Sequence, residues 1–232
     1  MADARHLVIT GASGNVGQAL VEHLTAAVPG PLHALGRNRP AGLRPGDRFD
    51  HVDLSDRVAA GQAARRIAIG PPAAGLVCAA GVDCRAGLAD FDAAALTDCI
   101  QVSCIAHLQL LQAVCHPRPA PAAPPGALPV VLISSDVIGN LLPATLVYAA
   151  AKAASEEALR HATADLPGPS AAILIVRLPD IGVPMRAVTG GPPPPPRTSP
   201  PCPLPVLSTA ARAVARFVCD PPAAGGVEVW HA

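Results

Sequence analysis

Two side chains in the stretch "LVYAAAKAAS" are of types that can exchange protons. Their spacing would also bring them together on a helix. Tyr148 is the only tyrosine of the chain, and Lys152 is the only lysine among 17 basic residues, the others all being arginine. A phenol can release a proton, and a nearby ammonium favours the resulting phenolate. Residues i and i+4 are neighbours on a helix, but such pairs are also common solvent decoration. Whether this pair is functional therefore depends on which other residues the chain places beside it.

A glycine-rich turn near the N-terminus has the features of a nucleotide-binding loop. In "VITGASGNVGQAL" (8–20), Gly11, Gly14 and Gly17 follow a short apolar strand and open a helix. Glycine permits a sharp turn and a close approach of a pyrophosphate, which then lies at the helix N-terminus among free N–H groups. The spacing is G-x-x-G-x-x-G, and an ordinary glycine-rich turn between strand and helix is the alternative. Its position at the start of an alternating chain favours nucleotide binding.

The end of the second strand, "LHALGRNRP", indicates which dinucleotide would bind. An acid at this place would hold a ribose 2′-hydroxyl, but none occurs before Asp47. Arg37 and Arg39 follow Gly36 instead, and an arginine here can accept a 2′-phosphate. The sequence therefore predicts NADP(H) in preference to NAD(H). Two solvated loop arginines are the alternative.

A third polar position closes the strand in "VVLISSDVIGN" (130–140). Ser134 and Ser135 end this strand, and Ser135 lies thirteen residues before Tyr148. A serine at a strand end is often a cap or turn residue. A serine here and a tyrosine one turn into the next helix can, however, both face the crevice in which a cofactor lies.

Apolar runs of strand length alternate with segments of helical periodicity along the chain. Strands are predicted at 5–10, 32–36, 74–81, 128–135, 171–179 and 226–230, with a short strand end followed by a helix within 53–69. Helices are predicted from the glycine turn to about residue 28, and at 91–114, 145–166 and 207–219. Strands that are apolar throughout indicate a parallel sheet covered on both faces. The prediction is an α/β, doubly wound Rossmann-type fold in a single domain, residues 1–232.

Two proline-rich segments, 116–129 and 183–205, interrupt this alternation. They are expected to be extended or mobile. Spacers expanded by compositional drift are the simplest interpretation, and ligands for a partner's aromatic groove are the alternative. The second segment follows the carboxyl end of a strand, where a lid over a substrate would lie.

Composition excludes several functional classes. The 17 basic and 17 acidic residues balance, and they form no basic stripe of the kind that binds nucleic acid. The chain has no run of some 18 or more uninterrupted apolar residues and no signal-peptide layout, so we expect a cytoplasmic protein without a membrane span. Seven cysteines occur without a C-x-x-C pair. They are interpreted as reduced thiols, and no metal site is predicted.

Taken together, these motifs resemble those of the short-chain dehydrogenase/reductase family in its compact single-domain form. The resemblance covers nearly the whole chain and keeps the family's motif order. "TGASGNVG" stands at the cofactor loop, and "HVDLSD" places Asp53 where the family contacts the adenine. "VCAAG" (77–81) resembles the family's N-A-G strand end, and "RLPDIGVPM" (177–185) resembles its P-G segment beside the nicotinamide. Ser135, Tyr148 and Lys152 fall on the active-site triad.

The resemblance implies a hydride transfer in which Ser135 and Tyr148 act on the substrate oxygen and Lys152 acts on Tyr148 and the cofactor. Ser135 would hold that oxygen and Tyr148 would exchange a proton with it. Lys152 would lower the pKa of Tyr148 and bind the nicotinamide ribose, while the cofactor carries the hydride. The implied cofactor-binding residues are Gly11, Ser13, Gly14, Asn15, Val16, Gly17, Arg37, Asp53, Leu54, Ala79, Ala80, Gly81, Tyr148, Lys152, Pro179 and Ile181.

The chain departs from the family pattern at three places. Ser103 occupies the position of a catalytic asparagine that helps to hold a water in the proton relay. Asp180 follows Pro179 where the family has glycine, which puts a carboxylate near the nicotinamide end. Cys78 replaces an asparagine at the end of its strand.

The first hypothesis is an NADP(H)-dependent oxidoreductase that interconverts a ketone and a secondary alcohol on a small, fairly apolar substrate. The second is a non-redox enzyme of the same fold, such as an isomerase, dehydratase or cyclase, and the third is a cofactor-sensing binding protein. The resemblance also implies a homodimer or homotetramer built through the two long helices, with alanine faces such as Ala149, Ala153 and Ala154.

Overall fold

Strands and helices alternate along the part of the chain that the computed structural model describes, which comprises residues 5–115, 127–166, 171–181, 205–222 and 226–232. The strands are β1 (His6–Thr10), β2 (Leu32–Gly36), β3 (Arg48–His51), β4 (Ala73–Cys78), β5 (Leu128–Ser135), β6 (Ala171–Leu178) and β7 (Val227–His231). The helices are α1 (Asn15–Ala27), α2 (Arg57–Ile69), α3 (Ala93–Ile100), α4 (Ala106–Val114), α5 (Leu146–Asp165) and α6 (Pro205–Cys219).

All seven strands form one parallel sheet in the order β3-β2-β1-β4-β5-β6-β7. The chain runs outward from β1 to β3, then returns to β4 on the other side of β1. Strand order therefore reverses between β1 and β4, and a crevice opens there at the carboxyl ends of the strands. The predicted doubly wound α/β fold is confirmed.

Both faces of the sheet are buried, which explains why its strands read as continuous apolar runs. Along β1, Leu7 and Ile9 belong to the core beneath α1 and α6, whereas Val8 points into the opposite core with residues of α2 and α4. All three side chains are fully buried. Two cores on opposite faces hold the central strands rigidly, and the ends of those strands position the candidate site.

The structure differs from the predicted elements at two places. The strand expected within 53–69 lies earlier, at Arg48–His51, because an edge strand with two exposed and two half-buried residues carries no apolar run to mark it. The single helix predicted over 91–114 is interrupted by a π-helical turn at Gln101–Ile105. A π turn adds a residue to the local repeat, and apolar spacing of three or four does not reveal it.

The continuous helical segment Ala93–Val114, which comprises α3, the π turn and α4, has the length and mean hydropathy (1.3) to cross a membrane. Half of its apolar window is buried inside the protein. A core helix of a globular domain passes the same test, so the segment is weak support for a membrane span.

Cysteine pairing corrects one expectation. The structure joins Cys84 to Cys99 in a disulfide with their Cα atoms 6.5 Å apart, so the prediction of reduced thiols is wrong for this pair. The pairing arises because the segment after β4 folds back against α3, a contact that the sequence spacing does not show. Cys78, Cys104 and Cys115 are free.

The proline-rich segments predicted at 116–129 and 183–205 lie almost entirely outside the described residues.

Candidate active site

The glycine turn between β1 and α1 brings backbone segments closer than any side chain would allow. Gly11 has a φ of +65°, and a Cβ atom there would lie 2.6 Å from the backbone of Ala80. A Cβ atom on Gly17 would lie 2.1 Å from the carbonyl oxygen of Gly11. Gly14 caps α1 without a side-chain hydrogen bond, and the first turn of α1 has no acidic residue. The N-terminus of α1 is thus suited to an anionic group.

A buried polar network fixes this turn against the end of β4. The Thr10 hydroxyl oxygen accepts hydrogen bonds from the N–H groups of Ala79 and Ala80, both at 3.1 Å. It also lies 3.1 Å from Nε2 of His107, whose Nδ1 lies 2.8 Å from the carbonyl oxygen of Ser103. Since a carbonyl only accepts, Nδ1 carries the proton and Nε2 accepts from Thr10. Burial lowers the pKa of His107 to about 4, with Lys152 adding to the effect, so the ring is neutral at neutral pH.

The far side of the turn carries the residues expected to select the dinucleotide. Arg37 follows β2, is half-buried and lines the cavity at this end, whereas Arg39 is exposed and lies outside the lining. Asp53 also lines the cavity, and its carboxylate accepts hydrogen bonds from the N–H (3.0 Å) and hydroxyl (2.7 Å) of Ser55. A basic group therefore faces the space beyond the ends of β2 and β3.

One continuous cavity of about 320 Å³ collects nearly every residue that the sequence singled out. Its lining contains all the predicted cofactor-binding positions, namely Gly11, Ser13, Gly14, Asn15, Val16, Gly17, Arg37, Asp53, Leu54, Ala79, Ala80, Gly81, Pro179 and Ile181, together with Ser135, Tyr148 and Lys152. The glycine cradle and the uncapped helix N-terminus fit the pyrophosphate of a dinucleotide, and Arg37 lines the same cavity.

Ser135, Tyr148 and Lys152 meet at the other end of the cavity because β5 ends where α5 begins to cross it. The hydroxyls of Ser135 and Tyr148 are hydrogen bonded to each other. The Nζ atom of Lys152 lies 5.7 Å from the centre of the Tyr148 ring. It donates a hydrogen bond of 3.0 Å to the carbonyl oxygen of Ile133, also on β5. The three functional groups are therefore neighbours in a single crevice.

The electrostatics of Tyr148 differ from the expectation drawn from the sequence. Burial raises the pKa of Tyr148 above its ordinary value, and the carboxylates of Asp83 and Asp180 raise it further, against the hydrogen bond from Ser135. The net shift is thus opposite in direction to the lowering expected from the Lys152 ammonium. Lys152 is itself buried, and burial lowers its own pKa to about 8. Tyr148 is a neutral phenol at neutral pH.

The two carboxylates that act on Tyr148 belong to an ion-pair network. Nε of Arg85 lies 2.9 Å from Oδ2 of the buried Asp83, and Nη2 of Arg85 lies 3.6 Å from Oδ2 of Asp180. Arg85 thus joins the segment after β4 to the segment after β6. The sequence pointed to Asp180 but not to the other two, because their proximity depends on the parallel strands ending at one edge.

Ser103 is placed apart from the other predicted catalytic residues. It lies in the π turn, is buried, and does not line the cavity. Its carbonyl oxygen accepts a hydrogen bond from the Ser155 hydroxyl at 2.6 Å as well as the one from His107. Its own hydroxyl has no hydrogen-bond partner among the described residues.

Sequence reasoning missed several residues that line the cavity. Ser134 lines it beside Ser135, although alternation along a strand predicts that only one of the pair faces a given side. Asn38 lies between two arginines, and nothing in its residue type marks it as a cavity residue. Asp98 and Val102 reach the cavity from the helical segment after β4, and their separation from the other motifs left no local signal. The remaining missed positions are Gly36, Val52, Ser55, Val82, Ile133 and Leu178.

Comparison with known proteins decides the family. The profile of the short chain dehydrogenase family matches residues 5–188. The chain belongs to the short-chain dehydrogenase family. Short-chain dehydrogenases are oxidoreductases that bind a nicotinamide cofactor, and the glycine turn and cavity of this chain fit that membership. No curated protein matches the chain.

Solved structures of short-chain dehydrogenases share this fold at low sequence identity. An alcohol dehydrogenase from the archaeon Thermococcus sibiricus, complexed with 5-hydroxy-NADP, is 17% identical with a TM-score of 0.70, over 98% of this chain and 95% of that one. A 3-oxoacyl-[acyl-carrier protein] reductase from Brucella melitensis is 15% identical (TM-score 0.71, 100% and 96% covered). A serine dehydrogenase from Escherichia coli is 14% identical (TM-score 0.70, 98% and 96% covered). At these identities the similarity establishes the fold alone.

Proposed function

We propose that this short-chain dehydrogenase is an NADP(H)-dependent oxidoreductase that interconverts a ketone and a secondary alcohol. The observation that carries the proposal is the cavity in which Ser135, Tyr148 and Lys152 lie at one end and the glycine turn with Arg37 lies at the other. An acid–base group, a hydroxyl and a dinucleotide site within one crevice are the parts that carbonyl reduction requires.

Different residues along the cavity would contact different parts of the cofactor. The N–H groups at the start of α1 would hold the pyrophosphate, which the glycine turn allows to approach the backbone. Arg37 would pair with the 2′-phosphate and Asp53 would contact the adenine end. Pro179 and Ile181 would lie beside the nicotinamide.

The proton chemistry follows from the protonation states of the side chains. When bound, NADPH would supply the hydride that reduces a substrate carbonyl. The Ser135 hydroxyl would hold the carbonyl oxygen, and the neutral Tyr148 phenol would donate its proton to that oxygen as negative charge develops. The Lys152 ammonium would then stabilise the phenolate until solvent returns the proton. Because the pKa of Tyr148 is raised, the phenol is protonated at neutral pH and its proton is present for this transfer.

The substrate is proposed to be small and fairly apolar at its reacting end. Val82 and Ile181 line the cavity together with Tyr148.

We also propose that the protein is cytoplasmic and assembles through its long helices. Ile105 and Ala153 are exposed there and would be covered in a dimer or tetramer.

The test is consumption of NADPH by the purified protein with a panel of small ketones, followed by absorbance of the reduced nicotinamide. We expect turnover with NADPH, slower turnover with NADH, and turnover lower by about 10²–10⁴-fold in the Tyr148→Phe variant. NADPH that binds but is not consumed with any ketone, and secondary alcohols that reduce no NADP, would contradict the proposal.

A non-redox reaction at the same site is the second candidate. It is favoured by the placement of Ser103 outside the cavity and by the network of Asp83, Arg85 and Asp180 beside Tyr148. In such an isomerase, dehydratase or cyclase, Tyr148 would move a proton without net cofactor turnover. Conversion of a hydroxy-carbonyl compound, observed by mass spectrometry at constant NADPH and lost in Tyr148→Phe, would identify it.

A further inference from the structure

A second ionised residue lies on the same face of α5 as Lys152, one turn further along. Glu156 follows Lys152 by four residues, a spacing that makes two helical side chains neighbours. Glu156 is 3% exposed and Lys152 is 4% exposed. Glu156 does not line the cavity, so it does not reach a cofactor or substrate directly. Its function must be exerted through the residues it faces.

Arg177 holds the Glu156 carboxylate from the adjacent strand. Its Nε and Nη2 donate hydrogen bonds to the two carboxylate oxygens at 2.9 and 2.7 Å, a bidentate arrangement. Arg177 lies on β6 in register with Ser134 of β5, beside the strand end that carries Ser135. Burial by itself would raise the pKa of Glu156, but Arg177, together with Ser134 and Arg160, outweighs burial and the pKa is lowered. The carboxylate is therefore ionised at neutral pH.

The other titratable groups around Lys152 are neutral at neutral pH. Burial raises the pKa of the Cys78 thiol on β4, and it raises that of the Tyr148 phenol on α5. Burial lowers the pKa of His107 on α4. Against this background burial drives the pKa of Lys152 down to about 8, and the Glu156 carboxylate is the largest effect that opposes it. The Cys78 thiol is the other group that would raise the pKa of Lys152, but it is neutral at neutral pH, so the negative charge that acts on Lys152 comes from Glu156.

We infer that Glu156, clamped by Arg177, is a positioning residue that keeps Lys152 in its ammonium form inside the candidate active site. Its catalytic meaning rests on the proposed function, in which that ammonium stabilises the Tyr148 phenolate. The effect of Glu156 on the protonation of Lys152 does not rest on the proposed function, because that protonation can be measured without substrate or turnover.

The composition of the chain offers a direct measurement. Lys152 is the only lysine, so protein grown with [¹³C]lysine gives one side-chain Cε signal whose pH titration by NMR reports this residue alone. In the parent we expect a midpoint near pH 8. In Glu156→Gln we expect the midpoint to fall by about one to two pH units, because a neighbouring buried charge is lost.

A matched control lies at the next position. Glu157 is also on α5, but its carboxylate is two-thirds exposed and lies 3.2 Å from Nε2 of His161. Glu157→Gln removes the same charge from the adjacent residue and should leave the midpoint of Lys152 unchanged. Glu156→Asp keeps the charge and should restore most of the parent midpoint.

Glu156→Gln also leaves the Arg177 guanidinium without its partner, which can cost enough stability to prevent folding. The double variant Glu156→Gln with Arg177→Met removes both charges of the pair. Since Glu156 and not Arg177 acts directly on Lys152, the midpoint should again fall. If the role of the pair is only to join α5 to β6, these variants will lose melting temperature while the lysine midpoint stays at the parent value, and the inference is overturned.

The activity assay separates this inference from the proposed function. If the parent reduces ketones, the alkaline limb of its pH–rate profile should move to lower pH in Glu156→Gln and stay in place in Glu157→Gln. If the parent shows no turnover at any pH, the proposed function fails, and the NMR titration still decides whether Glu156 holds Lys152 protonated.

Discussion

At the scale of single residues, the candidate site is governed by burial. Tyr148 and Lys152 are adjacent in space, yet removal from water favours the neutral form of each, and the phenol stays protonated. A neutral phenol hydrogen bonded to Ser135 is ready to give a proton, so we expect Tyr148 to act first as an acid.

The prediction for Tyr148→Phe follows from that role. The substitution removes the proton donor but keeps the ring, so turnover should fall by about 10²–10⁴-fold while NADPH affinity stays near that of the parent. Steady-state rates and a fluorescence titration of NADPH measure the two effects. A variant that keeps rates close to the parent would show that another group supplies the proton.

Arg37 offers a second prediction at this scale, because it lines the cavity and Arg39 does not. Arg37→Glu should weaken NADPH binding by about 10- to 100-fold, the size of a lost charge-assisted hydrogen bond. NADH binding should change far less. Arg39→Glu is the matched control and should leave both affinities almost unchanged. If NADH already binds the parent more tightly than NADPH, the dinucleotide assignment is wrong.

At the scale of secondary-structure elements, the site depends on how closely β1, α1 and β4 approach one another. Gly11 and Gly17 allow contacts that a Cβ atom would block, and Thr10 ties the same turn to the N–H groups after β4. The turn is therefore both the anion site and a packing joint between strand and helix.

Gly17→Ala tests this joint. The added Cβ would meet the carbonyl oxygen of Gly11 at 2.1 Å, so the backbone must shift. We expect a loss of about 1–3 kcal/mol in the free energy of unfolding and loss of NADPH binding. Gly61→Ala in the middle of α2 is the control, since its Cβ meets only the end of Gln109 at 4.0 Å among the described atoms. It should stabilise the protein by about 0.5–1 kcal/mol. Urea unfolding of both variants measures the difference in the free energy of unfolding. A Gly17→Ala protein that binds NADPH normally would contradict the prediction.

At the scale of the whole molecule, a buried neutral histidine couples stability to pH. His107 has a pKa of about 4 in the folded protein against an ordinary value near 6.5. Between these values the unfolded chain binds more protons than the folded chain, so stability falls as pH is lowered from about 6.5 to 4.

His107→Gln should remove up to about 3 kcal/mol of that pH dependence. The absolute stability of this variant will also fall, because the hydrogen bonds to Thr10 and Ser103 are disturbed. His161→Gln, at an exposed position on α5, should keep the slope of the parent. Urea unfolding at a series of pH values gives the slopes. Equal slopes for the parent and His107→Gln would mean that His107 is not the responsible group.

The extent of prediction from sequence differs between the fold and the site. The alternation of β1, β4, β5 and β6 with their helices was visible, because strands buried on both faces must be apolar throughout. The edge strand β3 and the π turn before α4 were not visible, since neither needs an apolar run of its own. Motifs in the sequence pointed to many of the residues that line the cavity, whereas Asp98 and Val102 come from a helical segment that only packing brings there.

The sequence by itself determined the fold class and the family, and it named the candidate residues for the chemistry, because these depend on apolar periodicity and on short motifs. Only the tertiary structure decided the protonation of those residues and the groups that surround them. The Asp83–Arg85–Asp180 network, the Cys84–Cys99 pair and the Glu156–Arg177 clamp each join residues that packing brings together. A side chain's pKa depends on burial and on the charges around it in space, and neither can be read from the order of residues alone.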